Sequence, residues 1–291
     1  MNILVPGSDL TAITVPTGSF SNFTHVVAAR RKEGGVYKVV VRRYKVFGEY
    51  DRGKKARREF KTFELLNRHQ VPAPEALLLD ESGDILGSPG IVVSFVPGNL
   101  RMDTVSDPMD WARKLATTLA KIHSIPCREE EQSFLLQGNA EATWFLNSGQ
   151  PPVYMQAYRG GSEVWQILHD LFPKIQGVAP VLLHIDYWSG NILWEGNEIS
   201  AVIDWEEAAY GDPAVDVGYA LMNMILMGLP DAADEFLRAY ESETGNALQN
   251  LGFWELAAAV RPMTDPEDWK IDRPPGKDIF QNFIEAPKKR I

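Results

Sequence analysis

The chain has one cysteine among its 291 residues, Cys127. A single thiol excludes an internal disulfide framework and fits a reducing compartment. Cys127 follows Pro126 just after a helix-like run, which suits a structural residue better than a nucleophile. No apolar run approaches the roughly 20 residues that a bilayer-spanning helix needs. The first residues, MNILVPGSDL, show no basic stretch followed by a long apolar one. A cytoplasmic location without a membrane partner is therefore expected. Internal repeats and low-complexity segments are also missing.

Composition is otherwise ordinary for a globular protein, with 45% hydrophobic and 23% charged residues. The length allows one large domain or two small ones and a sizeable core. The net charge of −10 is unevenly spread: residues 1–97 hold 14 Lys and Arg against 10 Asp and Glu, and residues 98–291 hold 15 against 29. A basic first part suits a polyanion such as a nucleoside triphosphate. An acidic second part suits a cationic partner and disfavours nucleic acid.

The densest information lies in residues 181–216. Val181-Leu182-Leu183 is an apolar run that stops at His184, and Asp186 follows. Asn191 comes five residues later and precedes Ile192-Leu193-Trp194; Ala201-Val202-Ile203 then lead into Asp204. Polar residues at the ends of buried strands are held rigidly at a surface cleft. Two acids and an amide gathered there can perform phosphoryl transfer, one acid taking the proton of an attacking hydroxyl and the other two groups holding magnesium on the phosphates.

The pattern along the chain is β-rich first and helical later. Thr11–Val15, His25–Ala29, Tyr37–Arg42 and Gly90–Val96 read as strands. Residues 55–68 carry Ala56, Phe60, Phe63 and Leu66 at helical spacing. Asp107-Pro108 is a cap followed by a first-turn proline, ahead of Trp111, Leu115, Leu119 and Ile122. Asp212-Pro213 repeats that signature, and residues 231–243 and 247–260 are further helices. In the tail beyond Pro262, Trp269, Phe280 and Phe283 are expected to pack on the body.

The order Asp-x-x-x-x-Asn and then Asp at a strand end resembles the catalytic segment of kinase-fold enzymes. HIDYWSGNILW, AVIDWEEA and GDPAVDVGYAL resemble the aminoglycoside phosphotransferase family, which includes choline kinase relatives. The resemblance extends over most of residues 10–230, through PTGSFSNFTHVVAA, YKVVVRRY, ARREFKTFELLNRHQVPAP, GIVVSFVPG and LAKIHSIP. It implies a two-lobed, protein-kinase-like α+β fold, with an antiparallel-sheet nucleotide lobe over residues 1–97 and a mainly helical catalytic and acceptor lobe over 98–291. Two departures stand out: Ile185 where the family has Gly, and Ser189 where it often has Pro. Neither supplies a reacting group, so altered loop packing is expected, not lost chemistry.

The resemblance also assigns roles. Asp186 is the base, and Asn191 and Asp204 are the magnesium ligands. Arg42 stands where kinases end their third strand in Lys, with Glu59 as its partner; a register shifted by one gives the role to Arg43. Gly18, Ser19, Phe20 and Ser21 offer backbone N–H groups, and Ser19 its hydroxyl, to phosphates. Ser94, Phe95 and Val96 offer backbone to the adenine edge. His184, Asp212 and Asp216 support the catalytic loop, Asp212 also as a helix cap. Trp188, Trp205 and Glu206 flank the acids and line an acceptor site, or are simply packing residues. The implied activity moves the γ-phosphate of ATP or GTP, with Mg2+, to a hydroxyl of an aminoglycoside-, antibiotic-, amino-alcohol- or sugar-like molecule. Glu206 and Glu207 after Asp204 suggest an acidic wall and a cationic acceptor. Two alternatives stand beside this: a nucleotide-binding pseudoenzyme with a regulatory role, and a nucleotidyl transferase on the same fold. Only seven residues separate Asp204 from Asp212, too few for a protein-kinase activation segment, and Ala-Pro-Glu is absent.

Overall fold

A computed structural model of the chain describes residues 3–16, 22–45, 51–100, 107–175 and 177–291. The first elements are β1 (Asp9–Thr14), β2 (Phe23–Arg30), β3 (Val36–Arg43), α1 (Arg52–Arg68), β4 (Ala76–Asp80), β5 (Gly90–Ser94) and β6 (Asn99–Leu100). There follow α2 (Pro108–His123), α3 (Glu129–Gln132), β7 (Leu136–Gln137), α4 (Gly138–Ala142), α5 (Val153–Ala157) and α6 (Gly161–Leu171). The acid–amide–acid segment is threaded through β8 (Val181–Leu183), β9 (Ile192–Glu195), β10 (Glu198–Val202) and β11 (Ala209–Gly211). Five helices complete the chain: α7 (Ala214–Leu226), α8 (Pro230–Thr244), α9 (Leu251–Ala258), α10 (Val260–Thr264) and α11 (Gly276–Lys288).

Contacts divide the chain into two compact units, Met1–Arg101 with Asn191–Ala208, and Met102–Gly190 with Ala209–Ile291. The division expected at 97/98 lacks this return of the chain. β6 explains it: Asn99 and Leu100 pair with Trp194 and Leu193 of β9, β9 pairs with β10, and the Val202 N–H donates to the Pro72 carbonyl.

The first unit is built on an antiparallel sheet of order β1-β2-β3-β5-β4. Its middle strands are rich in β-branched residues, which suit a pleated, half-buried surface. Val27, Val39 and Val92 form a small core on it. The α1 helix starts where the Asp51 carboxylate accepts from the Gly53 and Lys54 N–H groups, at 2.9 and 3.2 Å. The buried face of α1 carries Ala56, Thr62, Phe63, Leu65, Leu66 and one charge, Glu59.

Among the described residues, the second unit is helical apart from a three-stranded sheet, β7-β11-β8. Asp107 caps α2 through the Met109 and Asp110 N–H groups, and the stripe Trp111, Leu115, Leu119 and Ile122 is buried. The α7 helix begins at Ala214, one residue later than expected: Pro213 occupies the cap position, and the Asp212 carboxylate accepts from the Ala214 N–H at 3.0 Å. Eleven of its thirteen residues are buried, from Ala214 to Met224. A Cβ at Gly218 would lie 2.9 Å from the Trp254 backbone, so glycine there lets α7 and α9 approach closely. In the tail, Phe280 and Phe283 of α11 enter the same core as Phe145, Trp165 and Trp254. Among the described residues no helix is long and apolar enough to cross a membrane.

Candidate active site

In the second unit, the chain leaves β8 at Leu183 and turns through His184 and Ile185 to Asp186. The turn requires φ +72° at Ile185. Glycine adopts that conformation freely, whereas a β-branched residue is strained in it. This is the physical content of the Gly-to-Ile departure. Such strain persists only where the surroundings over-determine the backbone. Asp216 does so: its carboxylate accepts from the His184 and Ile185 N–H groups, both at 2.7 Å. Asp216 is fully buried and also meets His123 Nε2 at 3.2 Å, while His123 Nδ1 meets the Tyr240 hydroxyl at 2.6 Å. A buried carboxylate needs such donors to offset its desolvation. His184 is itself wholly buried, and its Nδ1 accepts from the Asp186 N–H at 3.3 Å. Asp212 completes the support: its N–H donates to Asn139 Oδ1, and Oδ2 accepts from Asn250, each at 2.9 Å. Ser189, the second departure, is buried with its hydroxyl 3.7 Å from Met227 Sδ.

The Asp186 side chain is about one-third exposed. Arg261 of α10 reaches it, Nη1 to Oδ1 at 3.1 Å, and lies over the Tyr219 ring at 4.8 Å. The Tyr219 hydroxyl is pushed well above its ordinary pKa by burial first and then by the negative charge of Asp186. Arg261 is a neighbour of Asp186 that the sequence reading missed. Its one signal is an arginine inside the apolar run Leu256–Met263. Trp188 is half-buried and lines a small cavity with Trp111, Met224 and Met227.

The first unit brings Arg42, Glu59, Asp204 and Glu206 together. On β3, alternation turns Arg42 away from its neighbours: Arg42 is buried, whereas Arg43 lies over the Phe23 ring. Arg42 Nε stands 3.1 Å from Glu59 Oε2, and Nη2 is 2.5 Å from Asp204 Oδ1 and 3.7 Å from Glu206 Oε2. Glu59, with no exposed surface, also accepts from the Tyr44 hydroxyl and, at 3.1 Å, from the Trp205 N–H. Burial pushes Glu59 up to about 7 despite the pull of Arg42; Asp204 and Glu206 push it the same way. Burial opposes the charge on Arg42, yet Asp204 and Glu59 outweigh it and hold Arg42 above its usual range.

Asp204 has φ +67°, a left-handed conformation that Asp tolerates better than most residues. The Asn191 carbonyl accepts from the Ile203 N–H at 2.9 Å, tying the amide's backbone to the residue before Asp204. Asn191 and Asp204 are hard oxygen donors. Magnesium is held by one or two carboxylates together with phosphate oxygens and water, so this sparse donor set fits it. Trp205 is wholly buried and its indole N–H donates to the Val202 carbonyl at 3.1 Å, which leaves no face for an acceptor. Glu206 meets Lys55 at 3.1 Å, and the Asn22 amide donates to it. It is part of an internal ion cluster and not of an open acidic wall. Both residues thus depart from the acceptor-lining expectation.

Gly18, Ser19, Phe20 and Ser21 lie outside the described residues. Ser94 is engaged with Glu75 twice: its N–H donates to the Glu75 carbonyl at 2.9 Å and its hydroxyl accepts from the Glu75 N–H at 2.8 Å. Phe95 is partly exposed beneath Lys38, 5.0 Å from its ring centre.

The sequence profile of the phosphotransferase enzyme family matches residues 19–254. Over 184 residues the chain is 28% identical to acyl-CoA dehydrogenase family member 10 of Mus musculus, covering 57% of this chain but only 16% of that one. Macrolide 2'-phosphotransferase MphH from Brachybacterium faecium is similar in structure, with a TM-score of 0.62 and 19% identity over 99% of both chains. Choline kinase LicA from Streptococcus pneumoniae has a TM-score of 0.62 and 16% identity over 97% of this chain and 94% of its own. At such identities the likeness shows the fold, which is the two-lobed, protein-kinase-like α+β fold.

Proposed function

The chain belongs to the phosphotransferase enzyme family, and from that premise we propose that it transfers the γ-phosphate of ATP or GTP to a hydroxyl group of a small molecule. The observation that carries this reading is the cluster that the buried Arg42 and Glu59 form with the half-buried Asp204. A fold that only needed stability would gain as much from apolar residues there, since buried ion pairs are weak stabilisers. A guanidinium held in one orientation by two acids is suited to meet a triphosphate, whose oxygens are strong acceptors.

In this reading Arg42, oriented by Glu59, contacts the α- and β-phosphates, and the backbone at Phe95 and Val96 meets the base. Residues 18–21 would cover the phosphates. Asn191 and Asp204 would hold magnesium, which when bound offsets the negative charge of the phosphates. Asp186 orients the acceptor hydroxyl. The hydroxyl oxygen forms a bond to the γ-phosphorus as the bond to the β–γ bridging oxygen breaks. The hydroxyl proton passes to Asp186, and a phosphate monoester and a nucleoside diphosphate leave. Because the transition state is loose, Asp186 contributes chiefly by positioning and takes the proton late.

The pairing of Glu206 with Lys55 and Arg42 removes the main support for a cationic acceptor. A cytoplasmic setting agrees with Cys127, which has no disulfide partner and whose thiol burial pushes up to about 11. The test is nucleotide consumption over a panel of hydroxyl-bearing metabolites and antibiotics, with product masses measured. Added phosphate supports the proposal. Added nucleoside monophosphate favours nucleotidyl transfer, and magnesium-dependent binding with no turnover favours the pseudoenzyme.

A further inference from the structure

Arg261 lies beyond residue 254, where the family match ends, and the roles considered so far leave it unused. Its surroundings are those of a built site. Asp186 follows the strained Ile185 and is about one-third exposed, so packing alone does not fix its carboxylate. Arg261 constrains it through Nη1, 3.1 Å from Oδ1, alongside a hydrogen bond from the Tyr219 hydroxyl. The guanidinium is in turn seated on the Tyr219 ring, and Tyr219 is buried on α7, the helix that also provides Asp216. A planar guanidinium stacked on a rigid ring has little freedom left to lose, so it can hold a partner in one orientation. A carboxylate has about four lone-pair sites, so the donors on Arg261 and Tyr219 do not exhaust its capacity to accept a hydroxyl.

A small cavity adjoins Arg261 and the Ile185 turn. Its walls include Phe145, Ile185, Val215 and Trp254, and its charged residues are Glu141 and Arg261. Its volume of about 30 Å³ is room for roughly two water-sized groups. A molecule whose hydroxyl meets Asp186 would place its neighbouring atoms against Arg261, beside an apolar slot that also carries Glu141 on its wall.

We propose that Arg261 is a positioning residue for Asp186 and that its charge also selects the acceptor: a compact alcohol that is uncharged next to its reacting hydroxyl and has an apolar flank. This rests on Asp186 being the base of a phosphotransferase. A positive group close to the hydroxyl would face Arg261 at short range, where like charges disfavour binding.

The test uses the full chain, with Arg261→Ala and Arg261→Lys, and a matched pair of acceptors, 1-propanol and ethanolamine. These share a two-carbon hydroxyl arm and end in a methyl and an ammonium group. Wild-type protein should hydrolyse magnesium-ATP slowly with water as acceptor. Arg261→Ala should lower that kcat by roughly tenfold to a hundredfold, as expected for a misplaced catalytic group, with the nucleotide KM unchanged. Arg261→Lys should recover part of it, which general structural damage would not allow. Wild type should favour 1-propanol over ethanolamine in kcat/KM by about tenfold or more, one charge contact's worth, and Arg261→Ala should narrow that ratio. Wild-type turnover in Arg261→Ala, or no hydrolysis by a wild type that binds magnesium-ATP, overturns the positioning role. A preference for ethanolamine, a ratio indifferent to Arg261→Ala, or phosphorylation of neither alcohol overturns the acceptor class. Failure of wild type to bind magnesium-ATP at all counts instead against the phosphotransferase reading.

Discussion

Replacing Ile185 separates two opposed energies at the turn that delivers Asp186. The side chain is 3% exposed and packs in the main core of the second unit. Truncating such a residue to Ala costs about 2–5 kcal/mol. Its backbone, at φ +72°, costs any residue with a Cβ roughly 1–2 kcal/mol. Ile185→Ala loses the burial and keeps the strain. Ile185→Gly loses the burial and relieves the strain, against a glycine entropy cost of about 0.5–1 kcal/mol. Both variants should therefore be less stable than wild type, because the lost burial outweighs the relieved strain. Between them the usual order should invert: Gly should match or exceed Ala by up to about 1 kcal/mol, although at an unstrained site it would be the less stable by about 0.5–1 kcal/mol. Urea unfolding of the two variants, followed by tryptophan fluorescence with the m-values compared, reads the difference. An Ala variant more stable than the Gly variant would refute the strain argument, and with it the view that Asp216 holds the turn against its own preference.

Two further predictions concern buried charge. Burial pushes Glu255 up to about 7 against the pull of Arg290. The folded state then holds a proton that the unfolded state has already lost above about 4.5, so this stabilising contribution is full at lower pH and disappears as pH rises towards 7. Thermal melts from pH 4.5 to 7.5 should show Glu255→Gln less sensitive to pH than wild type, by at most about 3 kcal/mol across the window; identical pH dependences would contradict the shift. Arg42→Ala should cost about 3–5 kcal/mol by leaving Glu59 buried without its cation, and adding Glu59→Ala should cost less than the sum of the single changes. Full additivity in the double-mutant cycle would show that the pair does not interact.

The sequence showed best what depends on local chemistry. Asp107-Pro108 marks the start of α2 because a carboxylate cap and a proline without an N–H satisfy the same helix end. The α1 stripe was legible from periodicity, and the β3 strand from its β-branched run behind a glycine turn. What escaped depends on distant pairing. β6, two residues long, draws 191–208 into the first unit, and no local pattern announces it. The β4 strand has the short sequence Ala76–Asp80 and lies at a sheet edge. Prolines around α11 hid a helix whose Phe280 is fully buried. At the site, period-two alternation could not choose between Arg42 and Arg43, because two adjacent arginines always place one on each face; contact with Glu59 makes the choice. Trp205 and Arg261 show the same limit in opposite directions. A tryptophan beside the acids turns out to be core, and an arginine 75 residues from Asp186 turns out to touch it.

The account stands most directly on Asp186 acting toward the acceptor while Asp204 acts toward the metal and nucleotide. The decisive measurement is Asp186→Asn, assayed for turnover with an active acceptor and for thermal stabilisation by magnesium-nucleotide, which reports binding to the folded state. Turnover should fall about a hundredfold or more while the stabilisation stays near that of wild type; in Asp204→Ala the stabilisation itself should be lost. Near wild-type turnover in Asp186→Asn would contradict the account.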